Sequence, residues 1–176
     1  MNAKDKKIKC VVLCAGRGTR LGAEDKPKPL YEVNGKPILF HVIDFWKQFT
    51  NDFVFVVGYE KEMVIEFVKT LPINAEFVVQ KELKGIAHAI YLTKDLITER
   101  FIVVLGDCIC TGNFIFPENL ENGFSMFETD DVNAISNSFS VELENGVAKR
   151  LVEKPKNPKT NLCGMGFYFF TKEVFD

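Results

Sequence analysis

Residues 9–21 read KCVVLCAGRGTRL, an apolar, β-branched run that leads directly into a loop with two glycines and two arginines. A short apolar run bounded by glycine predicts a buried strand followed by a tight loop. In open α/β sheets, ligands bind outside the carboxyl ends of the strands. This loop is therefore the first candidate for a ligand-binding site.

The same kind of strand recurs along the first part of the chain and alternates with helical patterns. The predicted strands lie at 9–14, 52–57, 76–80 and 100–105. The predicted helices, marked by apolar residues at a 3.6-residue period, lie at 37–49, 63–71 and about 86–96. Pro37 suits the first helical position of the first of them. This alternation predicts an α/β fold with a mostly parallel central sheet.

After Asp107 the pattern changes to strands and turns without intervening helices. The predicted strands here lie at 124–128, 135–144, 147–152 and 167–170. They indicate a mixed or antiparallel C-terminal addition to the parallel sheet. At 176 residues the chain is long enough for one substantial core, so we expect a single domain over 1–176.

Charge and hydropathy exclude several classes of function. Twenty-two Lys and Arg against 24 Asp and Glu give a net charge of -2, so no basic field exists to hold nucleic acid. The apolar run that ends at Gly16 is too short for a membrane span or a secretory signal. We therefore expect a cytoplasmic protein with neither nucleic-acid nor membrane partners, which binds any anionic ligand locally.

The five cysteines are predicted to be free, structural thiols. Their number is odd, and they lie in apolar stretches rather than at disulfide-framework spacings. Cys108 and Cys110 form a CxC pair, but a metal site would need further ligands, and the chain has only His41 and His88 as histidines.

The loop after the first strand has the composition of a polyphosphate site. Gly16 and Gly18 let backbone N–H groups approach a phosphate without obstruction by a Cβ atom. Four cations follow within a short span: Arg17, Arg20, Lys26 and Lys28. A dinucleotide fingerprint fails because Leu21 stands where a glycine is required, and no GxxxxGK[ST] motif is present. A glycine-rich turn with solvated basic residues is the alternative interpretation.

Three blocks around this loop resemble the signature of the nucleotide-sugar pyrophosphorylases, the sugar-1-phosphate thymidylyl- and uridylyltransferases. They are GRGTRL at 16–21, PKPL at 27–30 and GKP at 35–37. The resemblance implies a three-layer, Rossmann-like nucleotidyltransferase fold in which the loop wraps a nucleoside triphosphate. The implied loop contacts are Ala15, Gly16, Arg17, Gly18 and Thr19. It further implies that Arg20 steadies the β- and γ-phosphates, while Lys28 contacts the α-phosphate or the sugar phosphate.

The stretch QKELKGIAHA at 80–89 resembles the family's nucleobase-reading segment. There the Gln80 side chain and the Gly85 backbone are expected to meet the base edge. A neutral amide both donates and accepts, which suits uracil or thymine. Ile86 stands where the family usually has threonine, and an exposed strand end is the alternative for Gln80.

Asp107 follows a wholly apolar strand. A carboxylate sealed inside such a strand end would be costly, so we expect it to face a cleft and a cation. The Gly106-Asp107 pair resembles the family's strand-GD motif, which implies that Asp107 is a ligand of Mg²⁺. An aspartate that initiates a turn is the alternative.

The sugar side is expected later in the chain. Glu153-Lys154-Pro155 resembles the family's EKP element, which implies that Glu153 accepts from sugar hydroxyls and Lys154 pairs with the sugar phosphate. A surface ion pair before a proline turn is the alternative. The chain departs from the family at Gly164, where many relatives have a sugar-binding asparagine, and at Phe139-Ser140, which replace a glycine-bearing turn.

These observations predict an enzyme that transfers a nucleoside monophosphate from UTP or dTTP to a sugar 1-phosphate and releases pyrophosphate, with Mg²⁺ as cofactor. Asp176 ends the sequence before the family's second metal aspartate, so we expect an incomplete domain that binds triphosphate, turns over slowly and self-associates as a homo-oligomer. The alternatives are a non-catalytic nucleotide-binding or regulatory domain and a cytidylyltransferase that acts on an alcohol phosphate. A dinucleotide-dependent oxidoreductase is disfavoured by the glycine spacing.

Overall fold

The computed structural model describes residues 8–16, 26–115 and 121–176. Its contacts divide the chain into two compact units. The first comprises Met1–Asn122 with Phe169–Asp176, and the second comprises Gly123–Tyr168. The prediction of a single domain over the whole chain stays a prediction.

The first unit contains a parallel sheet in the order β5-β4-β1-β6. Its elements are β1 (Lys9–Cys14), β2 (Glu32–Val33), β3 (Lys36–Pro37), α1 (Ile38–Trp46), β4 (Asp52–Val57), α2 (Lys61–Lys69), β5 (Asn74–Val79), α3 (Ile86–Tyr91) and β6 (Arg100–Leu105). The predicted α/β fold with a mostly parallel sheet is confirmed.

The central strands carry the core of this unit. Strands β1, β4 and β6 are apolar along almost their whole length because both of their faces are covered, as in parallel sheets generally. Helix α1 adds a stripe of fully or almost fully buried side chains: Leu39, Val42, Ile43 and Trp46. Burial of each such side chain stabilises the fold by about 1.5–3 kcal/mol, so the sheet is a firm support for the loops at its edge.

One local detail at the start of α1 differs from the prediction. Pro37 is the residue before α1, not its first helical residue, because it pairs with Glu32 in a β2–β3 hairpin. The hairpin turn, Asn34-Gly35, has positive φ angles of 52° and 74°, which match the preference of Asn-Gly for tight hairpins.

The third predicted helix is shorter than expected. Helix α3 ends at Tyr91, and a separate 3-10 turn follows at Lys94–Leu96. The buried Thr93 side chain donates a hydrogen bond to the carbonyl of Ile90 at 2.7 Å. Such local side-chain bonding competes with helix continuation, which explains the early end.

The second unit is built from antiparallel strands and one short helix. Its elements are β7 (Gly123–Glu128), α4 (Val132–Asn137), β8 (Phe139–Glu144), β9 (Val147–Glu153) and the greater part of β10 (Leu162–Thr171). Strand β8 pairs antiparallel with both β9 and β10. The predicted antiparallel C-terminal addition is therefore confirmed.

One predicted strand in this unit was wrong over its first part. Residues 135–137 belong to helix α4, not to a strand that runs through to Glu144. The Asp131 side chain caps this helix by accepting hydrogen bonds from the backbone N–H groups of Asn133 and Ala134. None of the helices in the described part of the chain is long and apolar enough to span a membrane.

Candidate nucleotide-binding site

A cavity of about 480 Å³ opens at the carboxyl ends of β1 and β6 in the first unit. Its volume falls within the range of small-molecule sites, roughly 300–1,000 Å³. Its lining residues are Leu13, Cys14, Ala15, Gly16, Lys28, Pro29, Gln80, Leu83, Gly85, Ile86, Ala89, Leu105 and Asp107. Six residues predicted to act in one site therefore share one cavity: Ala15, Gly16, Lys28, Gln80, Gly85 and Asp107.

The start of the glycine loop forms one wall of this cavity. Ala15 is held by its carbonyl, which accepts a hydrogen bond from Tyr59 N–H at 3.3 Å. A Cβ atom at Gly58 would lie only 2.8 Å from the Ala15 carbonyl oxygen, so this close approach requires glycine. A Cβ at Gly16, in contrast, would meet no atom of the described residues within 4 Å. Packing against those residues therefore gives no reason for the glycine at 16.

The predicted contacts Arg17, Gly18, Thr19 and Arg20 lie outside the described residues. The chain is described again from Lys26, and a 3-10 turn at Lys28–Leu30 brings the PKPL block back to the cavity. Pro29 is buried and anchors this turn, while Lys28 remains about one-third exposed.

Lys28 and Asp107 form an ion pair at the cavity wall. Lys28 Nζ donates a hydrogen bond to Asp107 Oδ2 at 2.5 Å. Both side chains are about one-third exposed, at 36% and 31%, so solvent screening limits the pair to about 0–1 kcal/mol of stability. The sequence predicted both as site residues but did not predict that they contact each other.

Gly106 holds Asp107 in place. Its N–H donates to the Leu13 carbonyl at 2.9 Å, which ties the end of β6 to the end of β1. A Cβ at Gly106 would lie 2.5 Å from Cys14 Sγ and 3.0 Å from the Leu13 carbonyl oxygen. Only glycine fits there, and this explains in physical terms why glycine precedes the aspartate.

The Cys14 thiol below this junction is fully buried. Burial raises its pKa well above the ordinary value, and the nearby Asp107 carboxylate raises it further. Cys14 is therefore a neutral, packed thiol and not a nucleophile. The five cysteines are thiols that form no disulfide, as predicted.

The opposite side of the cavity carries the predicted base-reading residues. Gln80 follows β5, is only 5% exposed, and donates from Nε2 to the Gly85 carbonyl at 3.2 Å. Gly85 has a φ of +90° and opens α3. Leu83 and Ile86 project exposed apolar side chains, at 56% and 42% exposure. Such groups can cover the faces of a planar ring.

His88 is a site residue that the sequence analysis missed in this role. Its Nδ1 atom lies 3.1 Å from Gln80 Nε2, one turn into α3. Its spacing of three residues from Gly85, at the start of a predicted helix, was the signal that could have identified it.

The predicted sugar-side residues lie in the second unit. Glu153 ends β9, Lys154 follows it, and their charged atoms are 3.7 Å apart on exposed side chains. Lys154 has a left-handed φ of 45°, and its N–H donates to the Ser138 carbonyl at 2.8 Å. A lysine in this conformation is unfavourable by about 1–2 kcal/mol, and the Ser138 contact offsets part of that cost.

The fold and the cavity define the class of protein as an α/β protein with a cavity at the carboxyl edge of a parallel sheet, which is where such folds bind their ligands. The model of the nucleotidyl transferase family matches residues 9–176, and the chain belongs to that family. The resemblance noted in the sequence is thereby confirmed.

Individual relatives agree with this assignment. The chain is 38% identical to UTP–glucose-1-phosphate uridylyltransferase AglF of Haloferax volcanii, over 96% of this chain and 74% of that protein. It is 34% identical to the bifunctional protein GlmU of Methanocaldococcus jannaschii, over 94% of this chain but 40% of the relative. The chain thus spans less than half the length of the GlmU relatives that it matches.

Solved structures show the same fold. A putative glucose-1-phosphate thymidylyltransferase from Bacillus anthracis matches with a TM-score of 0.84 and 26% identity, over 96% of this chain and 73% of that one. A UDP-glucose pyrophosphorylase in complex with UDP-glucose matches with a TM-score of 0.77 at 23% identity, over 96% and 77% of the two chains.

Proposed function

We propose that the protein transfers a nucleoside monophosphate from UTP or dTTP to a sugar 1-phosphate and releases pyrophosphate. The observation that carries the proposal is that one cavity joins a lysine–aspartate pair, suited to phosphates, to a buried amide, suited to a base. The relatives' names, a uridylyltransferase and a thymidylyltransferase that act on glucose 1-phosphate, support the same assignment.

The proposed reaction is an in-line displacement. An oxygen of the sugar phosphate attacks the α-phosphorus, the bond from that phosphorus to the bridging oxygen breaks, and pyrophosphate leaves with that oxygen. The attacking phosphate is already ionised, so the protein needs to position the reactants and neutralise charge rather than to remove a proton. No covalent enzyme intermediate is required.

Lys28 supplies positive charge to this reaction. An ammonium group has three donor hydrogens, so Lys28 can keep its contact with Asp107 and also donate to a phosphate oxygen. Charge placed in advance at the transferring phosphate lowers the barrier by a few kcal/mol. In the proposed function Arg20 adds to this charge at the β- and γ-phosphates.

Asp107 suits a Mg²⁺ site of the kind completed by substrate. Its Oδ1 atom accepts no hydrogen bond from the described residues and is free to bind a cation. Those residues also contain no group of three or more candidate ligands, and Mg²⁺ in nucleotide sites commonly uses one or two carboxylates with substrate phosphate oxygens. When bound, Mg²⁺ neutralises charge on the phosphate oxygens and restricts their geometry.

Glu153 and Lys154 are the proposed contacts for the sugar phosphate. A carboxylate accepts from sugar hydroxyls, and an ammonium pairs with a phosphate. The strained backbone of Lys154 supports a functional role, because such residues concentrate at binding sites.

The five cysteine thiols, none of which is in a disulfide, fit the reducing cytoplasm as the compartment of the enzyme.

Calorimetric titration of this chain with UTP, dTTP and CTP, each with and without Mg²⁺, tests the binding half of the proposal. We expect UTP or dTTP to bind more tightly with Mg²⁺, and Asp107→Asn to abolish that gain because an amide cannot replace an anionic ligand. Asp44→Asn, an exposed aspartate on α1, is the matched control. Triphosphate binding that is the same with and without Mg²⁺, and the same in Asp107→Asn, would reject the metal assignment.

Pyrophosphate release with a panel of sugar 1-phosphates tests the catalytic half. Release that requires both a sugar 1-phosphate and a triphosphate supports the transferase. Release with an alcohol phosphate and CTP alone would support a cytidylyltransferase, a reaction named for the inositol-1-phosphate CTP transferase that shares the fold. Triphosphate binding without release, also in the longest natural form of the protein, would support a regulatory nucleotide-binding domain.

A further inference from the structure

The Gln80 side-chain amide is held by two contacts within the first unit. Its Nε2 atom donates to the Gly85 carbonyl at 3.2 Å and lies 3.1 Å from His88 Nδ1. The backbone N–H of Gln80 also donates to the Val57 carbonyl at 2.8 Å, which ties the residue to the sheet. Gln80 is thus fixed at both its backbone and its side chain.

These contacts determine which end of the amide faces where. A carbonyl oxygen can only accept, so the NH₂ group of Gln80 must face Gly85. The second hydrogen of that NH₂ group then points to His88 Nδ1, which must accept it. In this contact His88 Nδ1 is the acceptor, which corresponds to the tautomer with the ring proton on Nε2.

The Oε1 atom of Gln80 is left as a hydrogen-bond acceptor. No described residue donates a hydrogen bond to it, and Gln80 lines the cavity. When a ligand covers an acceptor at a cavity wall, the acceptor gains a partner if the ligand brings an N–H group, and it is penalised if the ligand brings a lone pair instead.

We propose that His88 is a positioning residue that sets base specificity by locking Gln80 with its acceptor toward the nucleobase. This inference rests on the proposed function and concerns the same site. Uracil and thymine carry a hydrogen on ring nitrogen N3, which an acceptor recognises. Cytosine in the same pose presents an unprotonated N3, whose lone pair would oppose that of Oε1.

The geometry explains why the Gly85 carbonyl alone would hold the Gln80 amide less firmly. The terminal torsion of glutamine is broad and roughly two-fold. A hydrogen bond from one hydrogen of the NH₂ group therefore restricts rotation of the amide less than hydrogen bonds from both. Gly85 lies in an exposed loop, whereas His88 is half-buried on α3. Loss of the His88 acceptor removes the contact that comes from the helix.

The test compares UTP and CTP binding, measured by calorimetry with Mg²⁺, in three variants. We expect the wild type to prefer UTP by roughly 10- to 100-fold, the range for one unsatisfied buried polar group. His88→Leu, which cannot accept, should lower that preference by about tenfold. His88→Asn, whose side-chain oxygen can accept, should retain most of it. His41→Leu, which changes the other histidine of the chain, is the matched control.

Three other outcomes would each contradict a specific claim about the site. An unchanged UTP-to-CTP ratio in His88→Leu would make His88 merely structural, since a loss of stability alone would weaken both nucleotides equally. Equal binding of both nucleotides by the wild type would overturn the role of Gln80 and leave the proposed function intact. If the wild type bound no triphosphate, the proposed function would fail, and this inference with it.

Discussion

Lys28 Nζ and Asp107 Oδ2 lie 2.5 Å apart although the two residues are 79 positions apart in the sequence. The turn after the glycine loop supplies the cation, and the end of β6 supplies the carboxylate. A partly exposed pair of this kind adds little to stability, so its removal should be felt in ligand binding rather than in folding.

Lys28→Ala tests this separation of stability from function. We expect the variant to unfold within about 1 kcal/mol of the wild type, because an exposed ion pair contributes no more than that. Pyrophosphate release should fall by roughly 10²-fold or more, the size expected for the loss of one contact to developing charge. Urea denaturation and a coupled pyrophosphate assay on the longest natural form measure the two effects.

Lys36→Ala, an exposed lysine in the β2–β3 hairpin, is the control for a general loss of positive charge. It should leave release unchanged. Wild-type release in a folded Lys28→Ala protein would remove Lys28 from the proposed mechanism.

Two glycine-to-alanine substitutions should differ in their effect on stability. Gly106→Ala places a Cβ 2.5 Å from Cys14 Sγ, so we expect it to destabilise the protein by about 1–3 kcal/mol and to weaken Mg²⁺-dependent triphosphate binding as Asp107 shifts. In Gly16→Ala the new Cβ meets none of the atoms described by the structure within 4 Å, so the free energy of unfolding should stay within about 0.5 kcal/mol of the wild type.

Triphosphate affinity distinguishes the reason for each glycine. If Gly16 allows a phosphate to approach the backbone, Gly16→Ala will weaken UTP binding while it leaves stability unchanged. Unaltered affinity in that variant would contradict the phosphate role of Gly16.

The buried Cys10 thiol should make the protein less stable to unfolding in alkaline solution. Burial raises the pKa of its thiol above the ordinary value of 9.0. Above that pH the unfolded chain releases the proton while the folded chain keeps it, so the free energy of unfolding falls as pH rises. The stabilisation is complete below about pH 9, and one thiol accounts for a loss of about 1.4 kcal/mol between pH 8 and pH 10.

Urea denaturation of the wild type and Cys10→Val at both pH values isolates this contribution, because valine is of similar size and does not titrate. The wild type should lose more stability than the variant between pH 8 and pH 10, and the two should change in parallel between pH 7 and pH 8. Equal losses over the upper range would show that the thiol titrates alike in both states.

Gly164 and Phe139 should be strongly coupled. A Cβ at Gly164 would fall within the Phe139 ring, so Gly164→Ala forces the ring to move and should destabilise the protein by about 1–3 kcal/mol. In a Phe139→Leu background the same substitution should have a smaller effect, and a double-mutant cycle by thermal or urea unfolding measures the difference. Additive effects would mean that the ring does not limit residue 164.

Strands β1, β4 and β6 could be predicted to the residue because their apolar runs are local and carry their own boundaries. Helix α4 was missed because its signal is a single capping side chain, Asp131, rather than a long periodic stripe. The end of α3 was missed because it depends on where the Thr93 hydroxyl finds an acceptor.

The sequence by itself determined the parallel α/β order and the glycine loop, and it predicted that Lys28, Gln80 and Asp107 share a nucleotide site. The order and the loop follow from residue types and short spacings, and the predicted site follows from the family resemblance. The tertiary structure alone decided the Lys28–Asp107 contact, the fit of Gly106 against Cys14 and the lock of His88 on Gln80. The first two join residues of distant segments through the register of parallel strands, and the third depends on where α3 lies relative to the residue that follows β5. Neither register nor packing is encoded in any local run of residues.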